Sequence, residues 1–151
     1  MSKINLGIIG GGQLGSLLSV AANKLNIKTT IYCDDANAPA QNFCDNFIFG
    51  DYSDKEKILN FIKDIDLITY EFENIPYETL NEMNQTKPVL PKPSINRLIQ
   101  HRIAEKDFIN KLNIRTTRYV SINNKSDLNA LEDLLPGILK TTTMDYDGKG
   151  Q

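Results

Sequence analysis

Two hydrophobic periods alternate along this chain. Lys3–Ile9 (KINLGII) is a short β-rich apolar run closed by Gly10-Gly11-Gly12. Leu14, Leu17, Leu18, Ala21, Ala22 and Leu25 then recur at helical spacing, which predicts an amphipathic helix with that stripe facing the core. Ile27–Cys33 predicts a second strand, stopped by Asp34-Asp35, and Phe47-Ile48-Phe49 a brief third. Asp54–Lys63 reads as a helix capped by Ser53 or Asp54, with Ile58, Leu59 and Ile62 inward. Asp66–Tyr70 predicts a fourth strand, Tyr77–Met83 a short helix, and Val89-Leu90 a fifth strand. Strands alternating with helices at this spacing predict an α/β fold, a parallel sheet with helices on its faces.

Pro88, Pro91 and Pro93 crowd the segment KPVLPKP, the clearest linker signal in the chain. The boundary is placed there, giving regions 1–93 and 94–151. In the second region Ser94–Leu112 predicts one long helix, with the Leu98–Leu112 stripe as its core face. Arg115–Ile122 alternates like a strand, Lys125–Leu135 reads as a helix and Ile138–Thr142 as another strand. The loop Asp145–Gln151 (DYDGKGQ) follows. A strand-helix-strand core is too small for a complete sheet, so the sequence reads as an N-terminal portion of something longer.

The composition narrows the function classes. Seventeen Lys+Arg against nineteen Asp+Glu give a net charge of −2, which supplies no basic field for a run of phosphates, so nucleic-acid binding is not expected. No stretch approaches the ~20 apolar residues of a membrane span, and the opening residues do not form a signal peptide. Cys33 and Cys44 stand in no metal or redox spacing. These features predict a soluble cytoplasmic protein with reduced thiols. His101 is the single histidine, reads as a surface residue mid-helix, and leaves no Ser/His/Asp, Cys/His or metal cluster to assemble.

Three constellations could carry chemistry. Gly10-Gly11-Gly12-Gln13-Leu14-Gly15 is a G-x-G-x-x-G between a strand and a helix, where glycines permit a tight turn and free N–H groups attract an anion. With Asp34 and Asp35 at the end of the second strand it fits a dinucleotide, another phosphate-bearing ligand, or a bare turn. Glu71-Phe72-Glu73-Asn74-Ile75-Pro76 lies at the carboxyl end of the fourth strand, where open α/β sheets bind ligands. Its two carboxylates and amide suit ribose hydroxyls or an amine, or simply a capped turn before Pro76. Lys140 followed by Asp145–Gln151 makes a glycine-flanked lysine loop that can cover phosphates, or a hairpin with an Asp-Gly turn.

Read together and in order, GGGQLG (10–15), Ala38-Pro39-Ala40-Gln41, TYEFENIP (69–76), QHRIAEKDFINKL (100–112) and LKTTTMDYDGKGQ (139–151) resemble the 5-(carboxyamino)imidazole ribonucleotide synthases. These are ATP-grasp ligases of purine biosynthesis. The resemblance spans the whole chain and implies a Rossmann-like N-terminal domain over 1–93 and the beginning of an ATP-grasp domain from 94. It also implies the family's chemistry: bicarbonate is phosphorylated by ATP to carboxyphosphate, and the amine of 5-aminoimidazole ribonucleotide takes the carboxyl group, with Mg2+ required. By position, Arg102 and Lys140 correspond to the ATP-contacting cations, and Tyr146, Asp147, Gly148, Lys149, Gly150 and Gln151 to the loop that closes on the phosphates. Gly12, Gln13, Leu14 and Glu73 correspond to contacts of the aminoimidazole ribonucleotide. No residue is assigned as a catalytic nucleophile, because phosphoryl transfer needs cations and donors more than one.

The resemblance places the family's magnesium carboxylates after residue 151, so this polypeptide alone is expected to be inactive, and it suggests a homodimer. The chain departs from the family pattern at Ser16 (commonly Arg), at Thr141 and Thr142 (often an Arg-containing strand) and at Asp145 (usually Gly). Asp145 adds a carboxylate beside a phosphate-covering loop. The competing expectations are an NAD(P)-binding oxidoreductase domain, which leaves EFENIP and YDGKGQ unexplained, another ATP-grasp ligase, and a non-catalytic nucleotide- or partner-binding module.

Overall fold

The computed structural model describes residues 4–144, and the chain divides after Arg97 into two compact units. The first is built on four strands, β1 (Asn5–Ile9), β2 (Lys28–Cys33), β3 (Asn46–Phe49) and β4 (Leu67–Tyr70). They form one parallel sheet in the order β3-β2-β1-β4. The α/β fold with a parallel sheet is therefore the fold the hydrophobic pattern predicts. Helices α1 (Gln13–Lys24), α2 (Lys55–Ile62), α3 (Tyr77–Thr86) and α4 (Pro93–Ile99) follow in chain order.

Side chains alternate across each strand, and both faces of the sheet are covered. Ile8 and Ile31 pack with Cys33, Ala38 and Ala40 on one face. Ile9, Tyr32 and Ile68 pack with Phe61, Ile62, Ile65, Leu80 and Met83 on the other. Gly7 makes the second layer fit, since a Cβ there would lie 2.7 Å from Phe61 Cζ. The proposed fifth strand is reduced to a single parallel bridge, Val89 to Ile68. Pro88 and Pro91 flank it and have no N–H to extend a ladder.

The largest correction concerns α1. Its leucine stripe does not face the core: Leu14 is 57% and Leu17 58% exposed, and Leu18 and Leu25 are exposed as well. Of the predicted stripe Ala22 faces inward, and Gly15, Ser16 and Ser19 join it in place of the leucines. Small side chains win because this helix runs close against β1 and the 3-10 turn Pro39–Asn42; a Cβ on Gly15 would lie 2.8 Å from the Gly10 carbonyl oxygen. Helix α2 is capped by Asp54, whose Oδ1 accepts from Lys57 N at 3.1 Å. Its Leu59 is turned outward, and Phe61, 2% exposed, takes the inward place beside Ile58 and Ile62.

The second unit differs more from expectation. The single helix predicted over 94–112 is broken at Gln100-His101, giving α4 and α5 (Arg102–Lys111). His101 adopts extended backbone and its Nδ1 accepts from Ala104 N at 3.3 Å, so the histidine is exposed, as expected, but caps a helix instead of sitting inside one. Helix α5 buries no residue completely, and Phe108 and Leu112 are exposed, so the Leu98–Leu112 stripe is not a core face among the described residues. Residues 115–122 and 138–142 form no strand, because an extended segment becomes a strand only with a ladder partner. Two 3-10 turns, Lys125–Ala130 and Glu132–Leu134, stand where one helix was predicted.

Candidate functional site

Parallel pairing of β1 with β4 aligns Ile9 with Tyr70. The chain therefore leaves both strands side by side at the carboxyl end of the sheet, β1 into the glycine turn and β4 into Glu71–Pro76. Glu71 N–H donates to Ile9 O at 3.1 Å, and Gly10 N–H to Tyr32 O at 2.9 Å. Glu71 then turns its carboxylate into the turn, where Oε1 accepts from Gly12 N–H at 2.9 Å.

The glycines are explained by what surrounds them. Gly10 has φ +103°, and a Cβ there would lie 2.8 Å from Glu71 Oε1; on Gly12 it would lie 3.2 Å from the same atom. Gly11 lies against the other side, where a Cβ would meet Ala38 Cβ at 2.7 Å and Cys33 Sγ at 2.9 Å. Ala40 N–H donates to Gly11 O at 3.0 Å. Three separated motifs, GGGQLG, Ala38–Gln41 and EFENIP, thus meet at one place. Gln13 and Leu14 are exposed there, and Gly12, Glu71 and Glu73 are half-buried.

The loop after β4 is held from behind. Asn96 of α4 is fully buried and its Nδ2 donates to Ile75 O at 3.2 Å. Tyr70 Oη and Asn74 Nδ2, on either side of Glu71-Phe72-Glu73, are buried polar atoms without a hydrogen-bond partner among the described residues. Burial holds the Tyr70 hydroxyl above its ordinary pKa. Tyr70 enters the sequence pattern only as the last residue of a predicted strand and Asn96 only as a helix position; tertiary packing buries the polar atoms of both.

Asp34 and Asp35 are exposed at the end of β2. Asp35 Oδ1 accepts from Asn37 N at 2.8 Å, which makes a local turn. Cys33 beside them is buried, and desolvation pushes its thiol up despite the Asp35 N–H that favours the thiolate. It packs against Gly11 as a small apolar residue.

In the second unit, Arg102 N–H at the start of α5 donates to Thr142 O at 2.9 Å, which brings the segment that follows Lys140 to the first turn of that helix. Arg102 and Lys140 are both half-buried. Tyr146–Gln151 lie outside the described residues. Among the described residues, no group of three or more His, Cys, Asp or Glu side chains could hold a metal ion. No helix among them is long and apolar enough to cross a membrane.

Comparison with known proteins bears on the same segments. The family model of the ribonucleotide synthetase preATP-grasp domain matches residues 1–100. N5-carboxyaminoimidazole ribonucleotide synthase of Brucella melitensis is 37% identical over 148 residues, covering 97% of this chain and 41% of that protein. The crystal structure of an N5-carboxyaminoimidazole ribonucleotide synthetase in complex with ADP superposes with TM-score 0.88 at 33% identity, covering 99% of this chain and 42% of the other. The Aspergillus clavatus enzyme, solved with ADP and 5-aminoimidazole ribonucleotide, superposes with TM-score 0.75 at 28% identity, covering 89% and 36%. The chain spans about two fifths of the length of these proteins. With more than half its length matched by one family model, and with the glycine turn inside the matched region, the chain belongs to the ribonucleotide synthetase preATP-grasp family.

Proposed function

We propose that this chain is the N-terminal part of an ATP-dependent ligase that carboxylates 5-aminoimidazole ribonucleotide with bicarbonate, through carboxyphosphate, in purine biosynthesis in the cytoplasm. The observation that carries the reading is the Glu71–Gly12 hydrogen bond, which joins the two most diagnostic loops of the first unit at the end of a parallel sheet where such folds bind ligands. Support comes from the similarity to an N5-carboxyaminoimidazole ribonucleotide synthetase solved with ADP, and to one solved with ADP and the aminoimidazole ribonucleotide.

In this reading Gly12, Gln13, Leu14 and Glu73 receive the ribonucleotide, and the Glu73 carboxylate accepts hydrogen bonds from its donor groups. Arg102 and Lys140 neutralise ATP phosphates, and Tyr146–Gln151 close over them. Fixed cations lower the barrier by stabilising charge that spreads over the transferring phosphoryl oxygens. Residues from about 94 onward begin the ATP-grasp domain. In this reading the Mg2+ that the family requires would be held by carboxylates after residue 151; among the described residues no group of three or more His, Cys, Asp or Glu could hold a metal ion. Bicarbonate as the carboxyl donor and a homodimeric assembly are the remaining parts of the proposal.

Titration of 5-aminoimidazole ribonucleotide into the 15N-labelled chain tests the substrate assignment. Saturable shifts at the Gly12, Gln13, Leu14 and Glu73 amides, weakened by Glu73→Gln, are expected; no shift at any of them overturns it. The 151-residue chain supplied with ATP, bicarbonate and aminoimidazole ribonucleotide is expected to be inactive, and measured carboxylation by it would overturn the assignment of essential groups beyond residue 151.

A further inference from the structure

A glycine turn that opens a helix ordinarily offers its N–H groups to a phosphate. In this protein that place is taken from inside. Glu71 Oε1 accepts the Gly12 N–H at 2.9 Å, and the same carboxyl group fills the space beside two glycines. Its Oε1, Cδ and Cγ lie 2.8, 3.0 and 3.0 Å from where a Gly10 Cβ would be, and Oε1 lies 3.2 Å from where a Gly12 Cβ would be. The side chain leaves a strand paired to β1, and its backbone N–H is fixed to Ile9 O. The carboxylate is therefore not a passing surface rotamer. Two backbone attachments and the absence of Cβ atoms at Gly10 and Gly12 define its seat.

We infer that Glu71 is a specificity-determining positioning residue: as a built-in anion, it closes the glycine turn to phosphate and pyrophosphate groups and leaves it to ligand groups that donate hydrogen bonds. Charge and occupancy act together. A phosphate oxygen seeking the Gly12 N–H meets an acceptor already bonded there, and a second negative charge within contact distance is repelled in a half-buried setting where screening by water is reduced. Hydroxyl and amine donors meet the reverse situation, since a carboxylate is an acceptor with more than one lone-pair direction. The glycine spacing that reads as a dinucleotide fingerprint is thereby accounted for by an internal carboxylate. The inference does not rest on the ligase reading, because its probe is not a substrate of that reaction.

The test is inorganic pyrophosphate, titrated into the 15N-labelled 151-residue chain while the Gly11, Gly12 and Gln13 amides are followed. Wild type is expected to show no saturable shift at these amides. Glu71→Ala is expected to gain pyrophosphate affinity there by about tenfold or more, and Glu71→Gln to keep the Gly12 amide protected from exchange while gaining a smaller, measurable affinity. A merely structural role would lower the stability of Glu71→Ala without creating an anion site. Saturable pyrophosphate binding by wild type at Gly12 would overturn the inference, as would a folded Glu71→Ala with no gain. Should Glu71→Ala fail to fold, Glu71→Gln decides alone: an affinity gain supports the inference and none overturns it.

Discussion

Asn96 Nδ2 donates to Ile75 O across 3.2 Å, from the last helix of the first unit to the loop that carries Glu71 and Glu73. Both partners are buried, and the other side-chain atom of Asn96, Oδ1, has no partner among the described residues. The two halves of one amide therefore contribute with opposite sign. Asn96→Ala removes this buried hydrogen bond to Ile75 O and opens a small cavity, so a loss of about 1–3 kcal/mol is expected in urea unfolding. Asn96→Leu also removes the hydrogen bond but fills the space and removes the unsatisfied oxygen, so it should cost less than alanine. Equal costs for the two variants would show that the hydrogen bond, not packing, dominates.

Gly10 predicts a separable pair of penalties. Its φ of +103° is strained for any L side chain, and a Cβ would press on Glu71 Oε1 at 2.8 Å. Gly10→Ala should destabilise by about 1–3 kcal/mol from the backbone alone, with more from the clash. In the double variant Gly10→Ala/Glu71→Ala the clash is gone and the backbone cost stays. A double-mutant cycle should therefore give a double variant less destabilised than the sum of the singles; strict additivity would place the carboxylate elsewhere in solution.

How much of this was legible in the sequence depends on the kind of evidence. Strands β1, β2 and β4 are readable as short runs rich in apolar and β-branched residues, NLGII, KTTIYC and LITY, the first two closed by Gly10 and Asp34. The glycine turn and the EFENIP loop were readable as candidate sites from type and spacing. That Glu71 reaches into the turn was not, since it depends on β4 pairing directly with β1, a topological fact no local pattern encodes. Periodicity failed on α1 for a definite reason: it reports which residues share a face, and close packing on the sheet selected the small-residue face of Gly15, Ser16, Ser19 and Ala22 over the leucine face. His101 broke a predicted continuous helix because its imidazole satisfies the Ala104 N–H as a cap.

That reversal of α1 can be tested directly. Leu17 is 58% exposed and Ser19 fully buried. Leu17→Ser should leave the unfolding free energy of the chain within about 0.5 kcal/mol of wild type, as an exposed substitution does. Ser19→Leu should cost roughly 1–3 kcal/mol, because extra methylenes have no room between α1 and the sheet. The leucine-inward arrangement predicts the opposite ranking, so two urea melts decide between the faces.

The alkaline limb of stability should report on Tyr32. Its ring is fully buried between Tyr52 and Phe61, and its hydroxyl donates to Asp51 O at 2.6 Å. Burial first, then the nearby charges of Asp54, Asp51 and Asp34, push its pKa up to about 12 from 10.0. The folded state therefore holds this proton at pH values where the unfolded chain has released it. The stabilisation is complete below pH 10 and is lost as pH rises from 10 toward 12, at up to about 1.4 kcal/mol per pH unit for one proton. Tyr52, also raised chiefly by burial and then by Cys33 and Asp34, adds to the same limb. Tyr32→Phe removes one titrating group, and it should flatten the fall of unfolding free energy between pH 10 and 12 while lowering the plateau at neutral pH by about 1 kcal/mol for the lost hydrogen bond. An unchanged slope in the phenylalanine variant would assign the alkaline loss to the other buried groups.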